Sequence, residues 1–108
     1  MVIGMKQFTR MVFVFFLIIA SIQAGDKTTE AIWIDVRTVA EYQQGHKADA
    51  INIPHTSIEQ SIANVTTDKS ANIRLYCAVG IRAGIAKATL ERMGYTNVFN
   101  EGGLSDVQ

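Results

Sequence analysis

The chain is 108 residues long, enough for one domain, with ten basic and ten acidic side chains and no formal net charge. No basic stripe marks it as a nucleic-acid binder. A single cysteine excludes an internal disulfide, and one cysteine with two histidines is too few donors to favour a zinc site.

Lys6 and Arg10 precede an apolar run from Met11 to Ala20, followed by Ser21-Ile22-Gln23-Ala24 and the polar Gly25-Asp26-Lys27. A basic start, a short apolar core and a small residue before a polar stretch predict a secretory signal peptide over residues 1–24, cleaved after Ala24. The alternative is an uncleaved membrane anchor through residues 11–22, but the run falls short of the ~20 residues a spanning helix needs. Removal of Lys6 and Arg10 leaves eight basic and ten acidic groups on residues 25–108, a net charge of about minus two. The expected location is the periplasm, with no stable membrane contact after cleavage. A lone thiol there is exposed to oxidation, so its presence points to chemistry.

Ala31 to Val36 is a nearly continuous apolar run, the mark of a strand buried on both faces. Thr38 and Glu41 form a capping-box pattern opening a helix that should stop at Gly45. Ala50-Ile51-Asn52-Ile53 reads as a second strand closed by Pro54. Ser57 with Gln60 repeats the capping pattern, and Ile58, Ile62 and Val65 share one helical face. Ile73 to Tyr76 is a third strand, Ala83 to Met93 a third helix capped by Gly94, and Asn97 to Asn100 a last strand before a Gly102-Gly103 turn. Trp33 and Tyr76 alternate with aliphatic residues and read as core. Alternating strands and helices predict an α/β fold, a small parallel sheet with helices on both faces. Ligands of such sheets bind at the carboxyl ends of the strands.

Cys77 falls at that edge, between a strand and the amino terminus of a helix. Free N–H groups and the positive end of the helix dipole favour an anion there, so the thiol should ionise readily and act as a nucleophile. Consecutive amides in the tight turn Ala78, Val79, Gly80, Ile81, Arg82 can form an anion-binding nest, with Gly80 free to take a positive φ. Arg82 lies in the first turn of a helix, where the dipole disfavours a cation; the mismatch points to a guanidinium that meets an anionic substrate at the pocket mouth.

Asp35-Val36-Arg37, Glu41-Tyr42, Gly45-His46, Ala50-Ile51-Asn52-Ile53-Pro54, the Cys77-to-Arg82 loop, Gly94-Tyr95 and Gly102-Gly103-Leu104 together resemble a single-domain rhodanese over nearly all of residues 25–108. The resemblance implies a thiosulfate sulfurtransferase. Cys77 would take the outer sulfur of thiosulfate as a persulfide and pass it to a thiophilic acceptor, cyanide or a thiol, with no metal or organic cofactor and as a monomer. It also implies that Asp35, Arg37, Glu41 and His46 form a structural network rather than catalytic acids and bases. A cysteine phosphatase would place Arg six residues after the cysteine; Arg82 comes at the fifth, in a loop sized for a single sulfur. The same residues would also suit a non-catalytic binding module, or a persulfide carrier serving a protein partner.

Overall fold

The computed structural model describes residues Glu30 to Gln108. The expected signal peptide over 1–24 and the lead-in to residue 29 lie outside the described residues. Four strands, β1 (Ala31–Asp35), β2 (Ile51–Asn52), β3 (Asn72–Cys77) and β4 (Val98–Gly103), form one all-parallel sheet in the order β2-β1-β3-β4. The helices are α1 (Val39–Gln43), α2 (Ile58–Ser61, flanked by single 3-10 turns), α3 (Ile81–Arg92) and α4 (Leu104–Val107). No helix among the described residues is long and apolar enough to cross a membrane.

The strand order explains where a site can form. The chain steps one way from β1 to β2, then back past β1 to β3 and on to β4. Right-handed crossovers therefore put α1 on one face and α2 with α3 on the other, where α2 and α3 touch. The reversal falls between β1 and β3, whose carboxyl ends carry Asp35 and Cys77. That crevice is the usual ligand position of an open parallel sheet.

The core follows the sequence pattern. Ile34, Ile58, Ile62, Ile73, Leu75 and Leu90 are almost wholly buried, each contributing roughly 1.5–3 kcal/mol by removal from water. Tyr76 is buried, its hydroxyl accepting the Lys47 N–H at 2.9 Å, whereas Trp33 is only half-buried under the Lys47 ammonium. The Thr38–Glu41 capping box is formed on both sides. Helix α3 ends in the glycine-dependent motif expected: Gly94 has φ +101°, and Tyr95 N–H reaches back to Leu90 O at 3.1 Å.

Four expectations change. Ser57 caps nothing; its ψ of 2° is not the extended backbone a capping residue needs, because Pro54 has already started a 3-10 turn closed by Ser57 N–H to Pro54 O. Strand β2 is reduced to Ile51–Asn52. Helix α3 begins two residues before Ala83, at Ile81. Strand β4 continues through Gly102 and Gly103, which were expected to turn, and α4 follows directly.

Candidate active site

Strand β3 delivers Cys77 to the sheet edge and the chain turns at once into α3. The residue at the N-cap of that helix is Gly80, with φ +103° and no side chain to satisfy the helix's first amides. The cysteine supplies what glycine lacks. Cys77 Sγ accepts the N–H of Gly80 at 3.0 Å and that of Ala83, the third residue of the helix, at 3.4 Å. A serine or aspartate oxygen normally takes this position. Here sulfur serves as the helix cap, so the helix terminus holds the sulfur and the sulfur completes the helix.

These contacts fix the chemistry of the thiol. Burial alone would push its pKa up, for the residue is 1 % exposed. The backbone N–H groups of Ala83, Gly80, Val79 and Arg82 together outweigh burial and hold the pKa below the ordinary thiol value. All four stabilise the thiolate rather than the thiol.

The loop is braced from β4. Asn100 donates through Nδ2 to Gly80 O at 2.9 Å and accepts the Gly102 N–H at 2.9 Å. Gly103 pairs with Cys77 across a β-bulge, and a Cβ there would fall on the Ala78 carbonyl. The glycine thus lets β4 close against the base of the loop. Ala78, Val79 and Ile81 project outward; Val79 is 76 % and Ile81 71 % exposed.

Two arginine–carboxylate pairs flank the loop. At the end of β1, Arg37 Nη2 meets Asp35 Oδ2 at 2.7 Å, its Nε shares both carboxylate oxygens, and Nη2 also reaches Gly45 O. Asp35 additionally accepts the Arg37 N–H. The second pair joins Arg82 to Glu41, Nη1 to Oε1 at 2.8 Å and Nη2 to Oε2 at 3.0 Å. Hydrogen bonding from Arg82 first, then from Thr38, lowers the Glu41 pKa to about 2. Arg82 is held protonated by Glu41, with a smaller contribution from the charge of Cys77.

The structure therefore divides the residues expected to form one network. Asp35 and Arg37 stay together. Glu41 leaves them to pair with Arg82, whose guanidinium was expected to face substrate. His46 is exposed, stacked on Tyr42 at 3.6 Å between ring centroids, its Nδ1 2.8 Å from Tyr42 O. Ala83 and Asn100 were missed. The expected nest stopped at Arg82, one residue short of Ala83, and nothing local marks Asn100 as a brace.

Residues 20–108 match the rhodanese-like domain family. The chain is 47% identical over 75 residues to the thiosulfate sulfurtransferase PspE of Escherichia coli K12, covering 69% of this chain and 72% of that protein. It is 33% identical over 90 residues to a tRNA uridine(34) hydroxylase of Erwinia tasmaniensis, covering 79% of this chain but only 26% of that protein. Among solved structures, a rhodanese with anions from E. coli superposes with a TM-score of 0.70 at 45% identity, covering 72% of this chain and 92% of the other. A cysteine sulfur seated on a helix terminus, in this fold and with these relatives, places the chain in the rhodanese-like family as a sulfurtransferase.

Proposed function

We propose that the chain transfers the outer sulfur of thiosulfate to a thiophilic acceptor through a persulfide on Cys77. The Cys77 thiolate attacks the outer sulfur, a new S–S bond forms, the bond to the sulfonate sulfur breaks, and sulfite leaves with the electron pair. The persulfide anion keeps the negative charge. Cyanide or a thiolate then attacks its terminal sulfur, giving thiocyanate or a new persulfide and returning the Cys77 thiolate.

The observation that carries this reading is the convergence of backbone N–H groups on one sulfur atom at a helix terminus. Amides at fixed positions stabilise the thiolate and, after transfer, the persulfide without any reorganisation. The similarity to a thiosulfate sulfurtransferase and to a rhodanese with anions supports thiosulfate as donor. The basic and apolar start of the chain supports export to the periplasm.

The test is direct. Purified protein incubated with thiosulfate should gain the mass of one sulfur on Cys77, lose it on addition of cyanide, and yield thiocyanate. Cys77→Ser should abolish all three signals. A wild-type protein that forms no persulfide with thiosulfate, yet loads from another persulfide donor, would be a sulfur carrier instead.

A further inference from the structure

Arg82 is the only cation in the loop from Cys77 to Arg82, and its charge is already taken. Glu41 occupies both terminal nitrogens of the guanidinium. Glu41 is itself held in place, because its Oε1 also accepts from the Thr38 N–H and hydroxyl, each at 3.0 Å. Both side chains remain partly open to solvent, 26 % for Arg82 and 35 % for Glu41, so the pair stands where a substrate can sense it. Its neighbours in the loop, Ala78, Val79 and Ile81, are exposed and uncharged. The loop thus attracts anions to the sulfur through its amides, while its own side chains add no uncancelled positive charge.

We propose that Glu41 is a specificity-determining residue for the sulfur donor: by cancelling the charge of Arg82 it lowers the preference of the site for a dianion over a monoanion. The inference rests on the thiosulfate reading above and concerns which donors the same thiolate accepts. With Arg82 released, a doubly charged donor gains more than a singly charged one, since Coulomb attraction scales with charge.

Thiosulfate and methanethiosulfonate separate the two cases. Both carry a transferable outer sulfur, but the second has a methyl group in place of a charged oxygen and releases methanesulfinate in place of sulfite. The readout is the ratio of kcat/KM for thiosulfate to that for methanethiosulfonate, measured across a salt series. Glu41→Gln keeps a side chain able to complete the capping box and removes only the charge. It should raise the ratio roughly fivefold, about the worth of one exposed ion pair. The gain should appear as a lower KM for thiosulfate and fade with added salt. The double variant Glu41→Gln with Arg82→Gln should return the ratio and its salt dependence to wild-type behaviour. Thr38→Ala loses the hydroxyl cap, keeps the ion pair and should leave the ratio unmoved.

A purely structural Glu41 gives a different result. Glu41→Gln then lowers kcat/KM for both donors alike, with no new salt dependence, and the inference is overturned while thiosulfate turnover stands. Absence of a persulfide in the wild type with either donor overturns the thiosulfate reading and this inference together.

Discussion

The two arginine–carboxylate pairs are chemically the same and physically different. Asp35 and Arg37 sit at the end of β1 with side chains 0 % and 8 % exposed, while Glu41 and Arg82 stand beside the loop at 35 % and 26 %. Water is nearly absent from the first pair and shares the second. In the first, every hydrogen bond is needed to offset the desolvation of two charges, and the backbone helps: Asp35 accepts the Arg37 N–H and Arg37 donates to Gly45 O. In the second, attraction is screened and the pair adds little to folding, which leaves it free to set the charge that a ligand meets. Position relative to solvent thus separates a pair that only the fold can use from one that a ligand can reach.

Breaking the buried pair should give the largest effect. Asp35→Ala leaves the Arg37 guanidinium desolvated and without its carboxylate, and should cost about 3–5 kcal/mol of stability in urea unfolding. A loss near 1 kcal/mol would mean that water enters the end of β1 and that the contrast between the pairs is smaller than the burial implies. Glu41→Gln is the matching experiment at the loop. It should cost less than about 1 kcal/mol, since the pair is partly exposed and screened. A loss as large as that of Asp35→Ala would place Glu41 with the structural pair.

This contrast also shows what sequence can carry. Cys77, the strand before it and the helix after it were legible because each depends on neighbours within a few residues. The Thr38–Glu41 capping box and the Gly94 helix end were legible for the same reason. Glu41 lies six residues from Asp35 and 41 from Arg82, and the expected network grouped it with the nearer partner. Its true partner depends on how α1 packs beside the loop, which is a tertiary fact. The Ala83 amide was lost because the expected nest ended at Arg82; with the helix beginning at Ile81, Ala83 is its third residue, the place an N-cap acceptor reaches, and here that acceptor is Cys77 Sγ. Gly102 and Gly103 read as a turn by composition, whereas the close approach of β4 to Ala78 is what requires glycine at Gly103.

The smallest expected effect is a pH dependence confined to the loop pair. Glu41 has its pKa lowered from 4.5 to about 2 in the folded chain. A carboxylate with a depressed folded pKa contributes stability that is fully present above its unfolded pKa and is lost as pH falls through the folded one. The stability gap between wild type and Glu41→Gln should therefore be flat from pH 8 down to about 5 and close as the pH falls from about 4.5 toward 2. The gap is under about 1 kcal/mol throughout, so differential denaturant titrations of the two proteins at each pH are the suitable measurement. A gap that widens on acidification would mean that Glu41 is protonated in the folded chain near neutral pH, and Arg82 would then carry an uncancelled charge at the rim. A gap that closes in the acid range instead keeps Glu41 ionised, and its pairing with Arg82 intact, from about pH 5 upward.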